Sequence, residues 1–143
     1  MNALVSAHSG LRWLVLISLL VAISIAFFSR RKKSIEKNQK ISYLLALILS
    51  HIQLLIGFVL YFFHSGKVAF SKDTMSDPVS RFFTVEHLLG MVIAIAVITI
   101  GYSKAKKQQS NKKIFSFYLI ALVIIFASIP WPFREALGVM NWA

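Results

Sequence analysis

The stretch LVSAHSGLRWLVLISLLVAISIAFFSRRKK, residues 4–33, decides how the chain is read. Its apolar part, residues 4–28, exceeds the roughly 20 residues that a helix needs to cross a ~30 Å hydrocarbon core. It stops at a basic block, Arg30, Arg31, Lys32 and Lys33. Because that block follows the apolar run and no basic region or small-residue cleavage site precedes it, the segment is expected to be a retained span rather than a signal peptide. Three further apolar segments, residues 41–63, 82–102 and 114–131, have spanning length. The expected fold is therefore an all-α integral membrane protein, a single four-helix domain over residues 1–143.

Composition agrees. Of 143 residues 57% are hydrophobic, and the mean hydropathy of +0.71 is too high for a soluble domain of this size. The chain has no cysteine, which excludes disulfides, thiolate metal sites, iron–sulfur clusters and covalent c-type haem attachment. The net charge of +11 would suggest nucleic acid in a soluble protein. Here, however, Arg30, Arg31, Lys32, Lys33, Lys37 and Lys40 fall in one expected loop, and Lys104, Lys106, Lys107, Lys112 and Lys113 in another. Orientation explains them better than nucleic-acid binding. By the positive-inside rule both loops are cytoplasmic, and the N-terminus, the 64–81 loop and the C-terminus lie outside. The expected setting is a multi-pass protein of a bacterial inner (cytoplasmic) membrane, with the lipid bilayer and other membrane subunits as partners. Tyr61, Phe62, Phe63, Phe82, Phe83 and Trp131 are expected at the outer interface, and Tyr43, Tyr102, Phe115 and Tyr118 toward the inner one. Pro132 ends the fourth helix, and residues 134–143 can form a short interfacial segment anchored by Trp142.

Polar residues within the spans carry the functional argument, since ionisable groups in lipid are costly and usually functional. His8 and Arg12 are four apart and share a helix face. Glu86 and His87 lie roughly 6 to 8 Å along the third span from Phe82, at a depth comparable with Arg12. An Arg12–Glu86 ion pair is therefore expected. His51 is near the middle of the second span, beside Ser50 and Gln53, and either hydrogen bonds to neighbours or serves as an iron ligand or quinone contact. His64 reads as a solvated loop residue. Neutral imidazoles on facing helices are common axial ligands of haem iron, so a b-type haem is the leading cofactor. The first ligand pair is His8 with His87, and the second is His51 with His87. Gly10, Gly57 and Gly90 supply small residues near them, and Arg12, Arg81 and Lys67 are the candidate partners for haem propionates.

The runs HSGLRW (8–13), SHIQLLIG (50–57), RFFTVEH (81–87), ITIGYSKAKK (98–107) and IPWPFRE (129–135) resemble those of small bacterial four-helix membrane proteins commonly labelled cytochrome B. The resemblance joins all four spans in order. It implies haem b and electron transport, as in a respiratory chain. The chain departs from the better-understood membrane b-type cytochromes in having no set of four histidines paired at matched depths on two helices, which argues against a two-haem transmembrane wire.

Walker, dinucleotide-binding, HExxH and nucleophile-elbow motifs are all absent. Glu86 beside His87 could relay protons, but four short spans with no repeat or broken helix argue against a self-sufficient transporter. The alternative to an electron-transfer protein is a cofactor-free accessory subunit of a larger membrane complex, its polar cluster fixing helix packing. The topology has a direct test. In whole cells an impermeant thiol reagent should label Ser6→Cys and spare Gln108→Cys; the reverse pattern would invert the orientation.

Overall fold

Helix boundaries in this protein are set by polar caps rather than by the points where hydrophobicity stops. In a computed structural model, which describes residues 2–64, 68 and 70–134, α1 spans Asn2–Phe28 and α2 spans Lys37–Val59. Arg30 closes α1 by donating from Nη1 to the Phe27 carbonyl at 2.7 Å, satisfying one of the acceptors a helix C-terminus leaves open. α2 begins four residues earlier than hydrophobicity suggests, because Gln39 Oε1 accepts the Glu36 N–H at 3.1 Å in a capping box. It runs on into a π-helical turn, Leu60–His64. A single-turn helix, α3, Pro78–Arg81, is capped by Asp77, whose carboxylate accepts the Ser80 N–H at 2.8 Å with Pro78 at the first helical position. Hydrogen bonding from the Ser80 side chain and backbone holds the Asp77 carboxyl below its usual range. A second π-helical turn, Phe82–Glu86, leads into α4, His87–Lys106. Ser110 caps α5, Asn111–Ser128, by accepting the Lys112 N–H at 3.1 Å.

These caps correct the expected loops. Lys37 and Lys40 belong to the first turn of α2, Lys104 and Lys106 to the last turn of α4, and Lys112 and Lys113 to the first turn of α5. Long basic side chains are tolerated there because their stems lie along apolar surface while the ammonium reaches outward. The expected interfacial segment around Trp142, and Lys67, lie outside the described residues.

Among the described residues, four helical stretches are long and apolar enough to cross a membrane: Ala3–Phe28, Lys37–Phe63, Pro78–Lys106 and Asn111–Ser128. Their outward faces are apolar, as at Leu14 and Ile17 on α1, Leu55 on α2, Leu89 on α4 and Val123 on α5. In water such a surface would be an aggregation liability; against lipid chains it is matched. The main packing contacts run α1 with α2 and α5, and α4 with α2 and α5. The helices thus form a ring in which α1–α4 and α2–α5 are the diagonals. α4 and α5 approach closely at glycines: a Cβ on Gly90 would run into the Ser128 hydroxyl, and one on Gly101 would sit 2.9 Å from Phe117 Cβ and the Tyr118 ring. Without a hydrophobic drive between helices in lipid, such small residues let backbones come close enough for dispersion to act. Leu19, Ala22, Ile98, Ile114 and Ile125 fill the centre.

The basic end of the bundle is closed by a buried polar network. Tyr43 on α2 donates to Asn111 Oδ1 at 2.8 Å, Asn111 Nδ2 donates to the Ser29 carbonyl at 3.1 Å, and Gln39 Nε2 donates to Ser29 Oγ at 2.9 Å. Tyr118 crosses the α2–α5 diagonal to donate to the Tyr43 carbonyl at 2.8 Å. The two tyrosines, expected near an interface, are fully buried. Gln108, held at φ 52° in the tight α4–α5 turn, exchanges hydrogen bonds with the Ile35 backbone. Replacing Asn111 by Leu orphans the buried Tyr43 hydroxyl and leaves the Ser29 carbonyl with the Lys32 N–H as its donor, and should cost about 1–3 kcal/mol in thermal unfolding in detergent. Ser116→Ala, on the exposed face of α5, should change the unfolding temperature little; equal losses for both would deny the network its role.

Candidate functional site

At the end opposite the basic network the other diagonal is bridged, by histidines. His8 on α1 and His87 on α4 approach with ring centres 6.3 Å apart and planes inclined by 74°. His87 is placed there by the π-helical turn that precedes it. The widened turn shifts the helical phase, so that Glu86 faces outward and His87 turns toward the bundle, against Phe82 and Phe83 at 6.0 and 6.5 Å. A hydrogen bond ties the two π-helical turns together, from the Tyr61 hydroxyl to the Thr84 carbonyl at 2.9 Å.

The tautomer of His87 follows from its partner. Its Nδ1 lies 2.7 Å from the Ser128 carbonyl, which can only accept, so Nδ1 carries the hydrogen and the neutral ring presents an Nε2 lone pair. Ser128 has an acceptor to offer because α5 ends there. His8 is packed against α2, where a Cβ on Gly57 would come within 3.3 Å of His8 Cε1. From α2, Gln53 Nε2 donates to the His8 carbonyl at 2.8 Å. His8 Nδ1 and Gln53 Oε1 are buried and without a hydrogen-bond partner among the described residues. Arg12, one turn from His8, is partly buried, its guanidinium 5.5 Å from the Trp13 ring centre. Beyond α5, Arg134 donates to the Ala127 carbonyl at 3.1 Å and lies 5.3 Å from the centre of the Phe82 ring, which itself contacts His87.

Other expected residues are placed elsewhere. His51 is exposed and donates Nδ1–H to the Leu47 carbonyl on its own helix at 2.8 Å, while Ser50 beside it is buried. The second pairing, His51 with His87, is not formed. Glu86 does not join Arg12: its carboxylate accepts from Arg81 Nε at 2.9 Å, in a pair about half exposed, and Arg81 also donates to the Met75 carbonyl at 3.3 Å. Arg81, expected as a propionate partner, is thus engaged by Glu86. Among the described residues no group of three or more His, Cys, Asp or Glu side chains gathers as it would around a metal held by protein ligands alone. Ser128, Gln53 and Arg134 complete the surroundings: Ser128 acts through its backbone, which no side-chain pattern marks, and Gln53 reads in the sequence as a neighbour of His51.

No family model, curated protein or solved structure matches the chain. The arrangement therefore rests on its own geometry. Two imidazoles that share one metal ion, each bound at roughly 2 Å, have ring centres about 6 Å apart, and the His8–His87 separation of 6.3 Å is of that size.

Because the Arg81–Glu86 pair is exposed, Glu86→Gln should shift stability by less than about 1 kcal/mol in detergent unfolding. A loss of several kcal/mol would mean that the carboxylate compensates a buried cation such as Arg12.

Proposed function

We propose that this chain is a membrane-embedded electron-transfer protein or redox subunit that holds a b-type haem between His8 and His87. The observation that carries this reading is the meeting of two imidazoles across a bundle diagonal at the spacing a shared iron requires, with one ring already oriented by a carbonyl. Bound there, haem supplies a one-electron iron couple. The protein's part is to hold and tune it. His8 and His87 would hold the iron, the Ser128 carbonyl fixes the His87 ring, and Arg12 and Arg134 are the cations at this end that would pair with propionates. The phenyl rings of Phe82 and Phe83 exclude water beside His87. On this reading the chain belongs with the membrane proteins labelled cytochrome B that its motifs resemble. Its basic end faces the cytoplasm of a bacterial inner membrane, and a quinone or another redox subunit is the partner.

A second reading, a cofactor-free accessory subunit, draws support from α2. Only 17% of its spanning window is buried inside the bundle, against 39% for α1, so α2 is the face most open to a neighbouring membrane subunit.

The two readings separate on purified protein. The first expects a reduced-minus-oxidised spectrum of a low-spin b haem that His8→Ala and His87→Ala abolish and that His51→Ala and His64→Ala keep. Undiminished haem in the His87 variant removes the ligand assignment. A parent that takes up no haem, even when expressed with excess haem, leaves the accessory role.

A further inference from the structure

We infer that Gln53 is the positioning residue for His8: its carboxamide oxygen accepts the His8 Nδ1–H and so fixes the tautomer whose Nε2 is left for the space shared with His87. The inference deepens the proposed haem reading and rests on it for its redox consequence, though not for its structural part.

Two orphaned atoms carry it. His8 Nδ1 and Gln53 Oε1 are both buried and lack a partner among the described residues. Buried polar groups left unpaired carry a desolvation penalty, and orphans are rare in folded proteins. These two are complementary, since an amide oxygen can only accept and a protonated imidazole nitrogen donates. They also belong to residues already joined, because Gln53 Nε2 donates to the His8 carbonyl at 2.8 Å. The amide thus has one end fixed on His8, with its oxygen still unassigned. Gln53 and Gly57 are four residues apart and share a face of α2. The nearest atoms of His8 to a Cβ on Gly57 are Cε1 at 3.3 Å and Nδ1 at 3.9 Å, so the Nδ1 edge of the ring faces that side of α2. A turn about the soft terminal torsion of Gln53 closes the pair, and because the planar amide turns as a unit, Nε2 shifts against the His8 carbonyl as Oε1 reaches Nδ1.

The result is a symmetric arrangement. His87 has its Nδ1–H tied to the Ser128 carbonyl on α5, and the inferred bond ties the His8 Nδ1–H to the Gln53 carboxamide on α2. Both tethers come from the helices of the opposite diagonal, and both leave an Nε2 lone pair. A neutral acceptor suits the place. It orients the ring and raises its basicity without adding an unpaired charge at membrane depth.

The test uses the full chain in nanodiscs, with nitrogen-15-labelled histidine and His8→Ala to assign the His8 signals. In protein free of haem, the parent and Gln53→Glu should show His8 as the Nδ1–H tautomer, and Gln53→Leu should lose that preference. His8 in the Nε2–H tautomer in the parent overturns the inference without recourse to any variant. So does an unchanged tautomer in Gln53→Leu. In protein loaded with haem b, Gln53→Leu should raise the reduction potential and weaken haem retention about tenfold, and Gln53→Glu should lower the potential, because a stronger acceptor favours the ferric state. Equal potentials in the three proteins overturn the inference while leaving the haem reading intact. A parent that binds no haem removes that reading, and the tautomer measurement still decides the role of Gln53.

Discussion

The hydrogen bonds of Asn111 hold the bundle in register. Its carboxamide sits fully buried at the start of α5, takes the Tyr43 hydroxyl from α2 and gives its own hydrogens to the Ser29 carbonyl that follows α1. Gln108 adds the turn between α4 and α5 to the turn between α1 and α2. Apolar helices in an apolar solvent have no hydrophobic reason to prefer one relative height or rotation, so directional bonds between their ends must supply it. In a medium of low dielectric, a satisfied network of this kind is strong and a partly satisfied one is costly.

Once the basic end is fixed, the far end inherits its geometry. Tyr118 reaches Tyr43 across the α2–α5 diagonal at one end, and His8 meets His87 across the α1–α4 diagonal at the other. The two diagonals do different work. The tyrosine crossing is packed shut, with Gly101 pressed against the Tyr118 ring. The histidine crossing is polar and incompletely satisfied, with His8 Nδ1 and Gln53 Oε1 unpaired among the described residues, and π-helical turns flank it on α2 and before α4. π-helical turns interrupt regular hydrogen bonding and occur frequently at functional sites, where a side chain must be aimed against the phase of its helix. One end of the bundle is thus a packed and satisfied crossing, and the other a polar and incompletely satisfied one.

Four helices, their order and the basic character of one end were legible in the sequence, because spanning length and charge clustering depend on composition alone. The meeting of His8 with His87 was within its reach too, through depth along each helix. What depth could not supply was rotation. Each span is apolar nearly all round, so no stripe of hydrophobic residues marks the inward face. Ser50 and His51 are neighbours, yet one is buried and the other exposed, a difference that a rotation of one residue about α2 would reverse. Glu86 likewise matched Arg12 in depth, but the π-helical turn carries it outward to Arg81. Composition and length thus determined that this is a four-helix bundle with imidazoles at one end. Which side chains point inward was decided only by tertiary packing, because rotational phase is set by contacts between helices and by the buried polar bonds that lock them.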